Sequence, residues 1–383
     1  MDRKLKVGLV GIGRGTSYGH LFSVNPLTEV TALCDFDENK LAGHGRDFGL
    51  DDRHLYTRYE DFINDDLDIV VLGTPMPYHA DQVVAAMENG CHVLSEVTAA
   101  STLGGCERIF NTVKARPKQK YMMAENCCYM AFALDWKKMA DEGKLGDIYY
   151  AEADYVHEIR NLIIDAETGA EKWRVNRAPL HYCSHSLGPI LQMMPDDYIV
   201  SCTASGNKAT IVPHAGDGFI DIQVGLFRTK KGATIKVLRS SVATRKTWLC
   251  AYSVYGTKGC LETGRTGYDN VGLKYIEGED SACVPMEVRT SDRNAPPEAK
   301  LGGHGTSEYY LVRDFLDSVV YDTKPAIDVV RAMDMSVPGL IAHEAAMEGG
   351  VWKDIPLFWR EQRGRICLIR LTAGGMVQNV RFD

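Results

Sequence analysis

The chain lacks the features that mark membrane, nucleic-acid-binding and disulfide-rich proteins. No apolar run reaches the length of a bilayer span, and no long run of one charge sign occurs among its 43 basic and 51 acidic residues. The net charge of −8 argues against binding to nucleic acid or to an anionic membrane. The 11 cysteines include no C-x-x-C pair, which favours reduced thiols. No signal peptide is evident, so we expect a cytoplasmic protein.

The length and the hydrophobic pattern predict an α/β protein of two domains. A chain of 383 residues is too long for one simple core. Up to residue 126, short apolar runs alternate with helical patterns, which is typical of a doubly wound parallel sheet. From residue 127 to residue 362, strands that alternate apolar and polar residues dominate. Residues 363–383 show little periodicity, and an extra strand, an arm onto a partner subunit and a disordered tail all remain open.

A glycine-rich turn follows the first predicted strand. We assign a pyrophosphate site to four of its residues, Gly11, Gly13, Arg14 and Gly15. Gly11 permits the tight turn, Gly13 lets the backbone approach the phosphates, and the N–H groups of the next helix hold their charge. The third glycine of the G-x-G-x-x-G pattern is Thr16 here, so the motif alone is a weak signal.

Asp35 strengthens the dinucleotide interpretation. It closes a second apolar run 22 residues after Gly13, where a carboxylate can accept hydrogen bonds from both hydroxyls of the adenosine ribose. No basic residue follows until Lys40, and Asp37 and Glu38 would repel a 2′-phosphate. We therefore predict NAD rather than NADP. A structural βαβ unit that binds no nucleotide is the alternative.

Further polar residues follow the later strands of the predicted parallel sheet. Because the carboxyl ends of parallel strands meet at one edge, these residues should line one crevice. We predict the following additional cofactor-binding residues: Thr74, Pro75, His79, Glu96, Val97 and Asn126. For His79 we expect it to cap the following helix and line the cleft rather than to do chemistry.

These motifs resemble the Gfo/Idh/MocA oxidoreductase family. The resemblance rests on the glycine turn with Asp35, on Thr74-Pro75 with His79, on Gly90-Cys-His-Val-Leu-Ser-Glu96 and on Tyr255-Gly-Thr-Lys-Gly-Cys-Leu-Glu262. It implies an N-terminal Rossmann domain that binds NAD, over residues 1–126. It also implies a C-terminal α/β domain, over residues 127–362, with an open, mostly antiparallel sheet. A homo-oligomer formed through that sheet is a further implication.

The sequence departs from that family at one informative place. Most members read Glu-Lys-Pro where this chain has Glu96-Val97-Thr98, and valine cannot move a proton. Five motifs are similar to the NAD-dependent glycoside hydrolases of family 109. They are Glu96-Val97, Glu125-Asn126, Tyr155-Val-His157, Trp173-Arg174 and Tyr182-Cys-Ser-His185-Ser-Leu-Gly-Pro189. A sugar or glycoside substrate is therefore implied.

The resemblance to family 109 implies cleavage of the glycosidic bond by transient oxidation of the sugar. This reaction needs a hydride acceptor and two proton-transfer groups. Oxidation at ring carbon 3 acidifies the hydrogen on carbon 2, the glycosidic group leaves, water adds, and the hydride returns. On this hypothesis His185 handles the carbon 3 hydroxyl and Tyr182 is the base at carbon 2. Tyr182 would need a nearby positive charge, from Arg174 or the nicotinamide ring. Substrate contacts are implied or proposed for four residues: Tyr155, Arg174, His181 and His304.

Plainer interpretations remain open. His185 can be a structural histidine near a helix start, because Pro189 should not lie deep in a helix, and Tyr182 can be a core tyrosine. The alternation of His181, Cys183 and His185 imitates a zinc site but lacks a fourth ligand, so we predict no metal. Two other functions also remain: a net NAD-dependent sugar or cyclitol dehydrogenase, and a non-catalytic regulator that binds NAD and sugar.

Overall fold

The computed structural model describes residues 3–208, 211, 220–243, 245, 249–267 and 269–360. The predicted tail, residues 363–383, lies outside the described residues. Within the described part, none of the helices combines the length and the apolarity that a membrane crossing requires.

The first part of the chain forms a parallel sheet with the predicted doubly wound order. Its strands are β1 (Leu5–Val10), β2 (Thr28–Cys34), β3 (Leu55–Tyr56), β4 (Ile69–Leu72), β5 (His92–Ser95) and β6 (Tyr121–Met123). The strands are hydrogen-bonded in the order β3-β2-β1-β4-β5-β6, so successive strands are added on one side of β1 up to β3 and on its other side from β4 onwards. β1 and β4 are almost entirely buried, which explains why both are continuous apolar runs. The predicted Rossmann-type sheet is confirmed.

Helices cover both faces of this sheet. They are α1 (Ile12–Val24), α2 (Glu38–Phe48), α3 (Tyr59–Phe62), α4 (His79–Glu88) and α5 (Leu103–Ala115). Helix α2 begins at the cap Asp37, whose carboxylate accepts hydrogen bonds from the N–H groups of Asn39 and Lys40. It ends at Gly49, whose φ of 70° few other residues adopt. Local sequence signals therefore set the bounds of α2.

The rest of the chain builds a nine-stranded sheet and four helices among the described residues. The strands are β7 (Ile148–Val156), β8 (Ile199–Lys208), β9 (Ile220–Thr229), β10 (Thr234–Ser240), β11 (Leu249–Gly256), β12 (Gly259–Glu262), β13 (Asn270–Ile276), β14 (Val284–Val288) and β15 (Lys353–Asp354). The helices are α6 (Ala131–Asp141), α7 (Ser184–Leu191), α8 (Ser307–Val320) and α9 (Val329–Met347).

The second sheet is mostly antiparallel, as predicted. Its order is β14-β13-β12-β11-β7-β10-β9-β8-β15, and only the pair of β7 with β10 is parallel among the described strands. Helices α7 and α9 pack on one face of this sheet. On the opposite face Val224 and Leu226 of β9 are exposed, which leaves that face open.

Two local predictions need correction. The sixth strand was predicted to end at Asn126 but ends at Met123, and Asn126 begins a 3₁₀ turn. Pro189 was predicted not to lie deep in a helix, yet it is the sixth of the eight residues of α7. Proline has no N–H to give to the carbonyl of His185, and the Tyr252 hydroxyl donates to that carbonyl instead, at 2.5 Å. A strand residue far away in sequence therefore makes this proline tolerable.

Helix α9 returns to the first sheet and connects the two parts of the chain. The Met123 N–H donates to the Ile327 carbonyl at 3.1 Å, just before α9 begins. Within α9 the Ser336 hydroxyl accepts a hydrogen bond from the Ala99 N–H at 3.1 Å. These bonds tie the ends of β5 and β6 to the second part of the chain, so polar residues from both parts face each other.

Candidate active site

The glycine turn packs tightly against the end of β4. Gly11 has a φ of 72°, and a Cβ there would lie 2.7 Å from the carbonyl of Gly73. A Cβ on Gly73 would in turn lie 2.6 Å from the Gly15 nitrogen. A Cβ on Gly13, by contrast, would meet nothing within 4 Å. Open space at the start of the 13-residue helix α1 fits the pyrophosphate of a dinucleotide.

Asp35 lies beside this turn. It is 9% exposed, and its Oδ2 accepts a hydrogen bond from the Ile12 N–H at 3.0 Å. Its Oδ1 accepts one from the Asp37 N–H at 3.1 Å. Each carboxylate oxygen keeps a further lone pair. The position at the carboxyl end of β2 suits the predicted ribose contact, which stays a prediction.

Arg14 and Glu96, both predicted cofactor residues, are bonded to each other. Arg14 Nε lies 2.7 Å from Glu96 Oε1, and the Tyr18 hydroxyl donates to the same oxygen at 2.6 Å. Arg14 Nη1 lies 2.6 Å from Oε1 of Glu308. The guanidinium is thus held by two carboxylates, so Arg14 links the glycine turn to the end of β5 and to α8.

Glu308 connects the same arginine to His304. Its carboxylate is fully buried, accepts a hydrogen bond from the Gly303 N–H at 2.5 Å and lies 2.7 Å from His304 Nδ1. Burial alone would raise the pKa of Glu308, but the His304 hydrogen bond and the Arg14 charge lower it to about 2. The His304 side chain is 40% exposed and lies within electrostatic reach of His157. Glu308 was not among the residues predicted from the sequence.

The predicted cofactor residues that follow β4, β5 and β6 differ in their exposure. Thr74 and Pro75 are half-buried, whereas Val97 and Asn126 are buried. His79 is fully buried between two backbone carbonyls, at 2.8 Å from that of Thr98 and 2.9 Å from that of Thr74. Its side chain therefore has no surface for a nucleotide, and the expectation that it lines the cleft is corrected. Through its contact with the Thr74 carbonyl, His79 instead supports the loop that follows β4.

The two predicted catalytic residues lie side by side at the start of α7. The ring centroids of Tyr182 and His185 are 4.8 Å apart, with the planes at 84°. The His185 ring also lies 5.2 Å from that of Tyr155. Among the described residues, neither the Tyr182 hydroxyl nor His185 Nε2 has a hydrogen-bond partner. Both atoms are therefore available to a substrate.

Glu125 fixes the other side of the His185 ring. Its Oε1 lies 2.5 Å from His185 Nδ1, and its side chain is completely buried. Burial alone would raise the pKa of Glu125, but the charge and hydrogen bond of His185 lower it. The sequence contains the signal for this residue in Glu125-Asn126, just after the sixth strand, but no role was predicted for it.

Three groups that can bind metal ions meet at this point. Donor atoms of Glu125, Cys127 and His185 lie within 4.8 Å of one another. Burial raises the pKa of the Cys127 thiol well above its usual value, which disfavours the thiolate that a metal requires. The Glu125–His185 hydrogen bond already accounts for the other two groups. The arrangement favours an acid–base pair, and the absence of a metal stays a prediction.

His181 and His157 each pack against another ring of the second part of the chain. The His181 ring lies 4.5 Å from the ring of His343 on α9, at 80°. Burial, then the His343 and Arg177 charges, lower the pKa of His181 to about 3. His157 lies against Tyr155, and burial and Arg239 lower its pKa to about 4. Both imidazoles are therefore neutral near pH 7.

Comparison with known proteins agrees with this geometry. A family model described as "Oxidoreductase family, NAD-binding Rossmann fold" (GFO_IDH_MocA) matches residues 5–124. The model described as "Oxidoreductase family, C-terminal alpha/beta domain" matches residues 137–351. This chain belongs to the Gfo/Idh/MocA oxidoreductase family. The predicted fold, enzyme class and NAD cofactor are confirmed at that level.

Curated relatives of this Gfo/Idh/MocA protein carry a glycosidase name. A "Glycosyl hydrolase family 109 protein" from Solibacter usitatus is 28% identical, with 93% of this chain and 88% of that protein covered. A "Glycosyl hydrolase family 109 protein 2" from Phocaeicola vulgatus is also 28% identical, with 94% and 96% covered.

Solved structures with the same fold are more distant in sequence. A levoglucosan dehydrogenase in complex with NADH and L-sorbose matches with a TM-score of 0.77 at 19% identity, over 92% of this chain and 99% of that one. An inositol dehydrogenase homologue from Azotobacter vinelandii, complexed with NADH and myo-inositol, has a TM-score of 0.73 at 19% identity, over 92% and 98%. At this identity the likeness shows the fold.

Proposed function

We propose that this protein is an NAD-dependent enzyme that cleaves a glycoside by transient oxidation of the sugar. The observation that carries the proposal is the Glu125–His185–Tyr182 arrangement, in a chain that has Val97 at the sequence position of the family's usual lysine. The two curated relatives named for glycosyl hydrolase family 109 support it, because they match nearly the whole chain. NAD, when bound at the glycine turn, supplies a reversible hydride acceptor.

His185 is the proposed base for the hydroxyl on ring carbon 3. Glu125 accepts the Nδ1 hydrogen, which leaves Nε2 as the ring nitrogen with a free lone pair. The proton taken by Nε2 stays on the imidazolium, which the buried carboxylate stabilises. His185 can then return this proton when the carbon 3 hydroxyl is restored.

Tyr182 is the proposed base at carbon 2. Its hydroxyl has no partner among the described residues, so it is free to take the hydrogen that a neighbouring ketone acidifies. Burial and the charge of Glu96 raise the pKa of Tyr182, while Arg177 and Arg239 lower it. The balance lies above the usual value, so a further positive charge must arrive with the cofactor before Tyr182 ionises.

A net sugar dehydrogenase is the second candidate function. The Glu125–His185 pair by itself is sufficient to remove a hydroxyl proton, so the absence of the lysine does not exclude simple alcohol oxidation. On this candidate Tyr182 only binds substrate, and the reduced cofactor accumulates in proportion to the product.

One experiment separates the two functions. The purified protein is given NAD and a panel of aryl glycosides in deuterated water, and the released phenol, the NADH absorbance and the deuterium in the sugar are measured together. The proposal predicts phenol release, deuterium at carbon 2 and no net NADH. Stoichiometric NADH without phenol release would establish the dehydrogenase, and the absence of any turnover would leave the non-catalytic regulator.

A further inference from the structure

Three arginines lie around the site, and none of them has an acidic partner among the described residues. The guanidinium carbon of Arg177 lies 4.4 Å from the Tyr182 ring centroid, and that of Arg239 lies 4.2 Å from the Tyr155 centroid and 5.2 Å from that of Tyr182. The Arg174 guanidinium lies 4.5 Å from the Trp173 ring. None of the three forms an ion pair with any residue that the structure describes.

Two of these arginines are also short of hydrogen-bond acceptors. Arg177, 6% exposed, donates from Nη2 to the Ser241 hydroxyl at 3.0 Å, but its Nε is buried without an acceptor. Arg239, 1% exposed, donates from Nε to the Pro179 carbonyl at 3.4 Å, and its Nη1 is buried without one. A buried charge is unfavourable unless it is paired, and stacking on aromatic rings offsets only part of this. The site therefore carries uncompensated positive charge.

The fold places this charge at the centre of the second sheet. Arg239 on β10 stands between Tyr155 of β7 and Gln223 of β9 in register. Gln223 is neutral and is occupied with the Leu180 N–H and His343. No acidic neighbour balances Arg239 along this row.

The acidic residues near Tyr182 are already committed. Two carboxylates, Glu96 and Glu125, raise the pKa of Tyr182 through their charge. Glu96 is paired with Arg14 at 2.7 Å, and Glu125 is bonded to His185 at 2.5 Å. Within ion-pair distance, the described residues therefore supply no carboxylate to any of the three arginines.

We propose that this site selects an anionic sugar, whose carboxylate is the missing counter-charge and is bound by Arg174. This rests on the proposed function in assuming that a sugar occupies the site. Arg174 is half-buried and donates no hydrogen bond to a described residue, so its planar fork is open. An arginine fork matches a carboxylate in two parallel hydrogen bonds. Arg177 and Arg239 are too deeply buried to contact the carboxylate directly, and they attract it through their positive charge.

The test is a binding measurement on the full-length protein with saturating NAD, by calorimetry at pH 7. Two matched series are used: methyl glucuronide, methyl glucoside and methyl glucoside 6-sulfate, and the three corresponding galacto compounds. In at least one series the uronide should bind at least about tenfold more tightly than its neutral counterpart, and added salt should reduce this preference. A sulfate bound as tightly as the uronide would contradict the carboxylate assignment.

Variants assign the preference to Arg174. Arg174→Gln should bring the affinities for the acid and for its neutral counterpart to within about twofold of each other, and Arg174→Lys should retain part of the preference for the acid. Arg313→Gln, on the exposed face of α8, is the matched control and should change nothing. Equal binding of acid and neutral sugars in every series would overturn the inference, as would a preference that survives in Arg174→Gln or no binding of any uronide. Because no turnover is measured, these outcomes do not depend on whether the enzyme cleaves glycosides.

Discussion

The carboxylate of Glu125 lies 2.5 Å from Nδ1 of His185, and both side chains are buried. Glu125 comes from the turn after β6 and His185 from the start of α7, so the pair joins the two halves of the chain. A buried acceptor on Nδ1 selects the tautomer in which Nε2 is the basic nitrogen. Glu125 therefore orients the His185 ring and leaves Nε2 as the nitrogen that can act as a base.

Replacing Glu125 by Gln should slow the reaction about 10–100-fold, because an amide still accepts the Nδ1 hydrogen but no longer stabilises the imidazolium. The affinity for NAD should stay within about twofold of the original, since the glycine turn is untouched. The measurement is the pH dependence of kcat and of kcat/KM. Glu107→Gln, on the exposed side of α5, is the control. An unchanged pH profile would show that Glu125 is only a packing residue.

Replacing Tyr182 by Phe should abolish the exchange of the carbon 2 hydrogen with solvent. The variant keeps the ring, on which Arg177 and Arg239 stack, and removes only the hydroxyl, so stability should change little. Exchange is followed by NMR in deuterated water with NAD present. Tyr149→Phe, 56% exposed on β7, serves as the matched control. Exchange at the original rate would remove Tyr182 from the role of base.

The fold was largely predictable because its signals are local. Continuous apolar runs gave the strands of the first sheet, and caps such as Asp37 and Gly49 gave α2 its bounds. The short strands β12 to β14 were not predicted, since glycine and proline interrupt them and only their neighbours hold them in place. Pro189 was misjudged for the same reason, because the hydroxyl that satisfies the His185 carbonyl is distant in sequence.

The candidate site was predictable only where a motif spells it out. Tyr182 and His185 share one motif, and the structure places them together. Arg177 and Arg239 have no motif: their importance comes from the sheet register and from the lack of an acidic partner, and neither can be derived from sequence spacing. His79 shows the reverse case, because its motif is present but its side chain faces backbone carbonyls.

Replacing Asp35 by Ala should weaken NAD binding by about 1–3 kcal/mol, the value of a lost hydrogen bond to a charged group. The same carboxylate accepts the Ile12 N–H, so a modest loss of stability should accompany it. Calorimetry measures the first effect and thermal unfolding without NAD the second. Glu38→Ala, in the first turn of α2, is the control. An unchanged affinity for NAD would show that Asp35 only supports the turn.

Alanine at Gly11 and at Gly13 should have opposite consequences. At Gly11 the φ of 72° and the Gly73 carbonyl, 2.7 Å from the added Cβ, leave no room, so the free energy of unfolding should fall by at least about 1–2 kcal/mol. At Gly13 the Cβ meets nothing, so alanine should leave stability unchanged or raise it by up to about 1 kcal/mol. Only a bound pyrophosphate would collide with it. Loss of NAD binding in the stable Gly13→Ala protein would place the phosphates there, and full NAD affinity would place them elsewhere.

Replacing Glu308 by Gln should make the free energy of unfolding depend less on pH in the acid range. The pKa of Glu308 in the folded protein is about 2, below the usual value of a glutamate near 4.5, so its contribution is present above about pH 4.5 and disappears as the pH falls towards 2. With its carboxylate fully buried between Arg14 and His304, this contribution is on the order of 3 kcal/mol. Urea unfolding at a series of pH values compares the variant with the original and with Glu298→Gln. The free energy of unfolding of Glu308→Gln should fall furthest below that of the original protein near pH 7, and the difference should vanish near pH 2. A difference independent of pH would mean that packing, and not the buried charge of Glu308, holds the turn around His304 against the glycine turn.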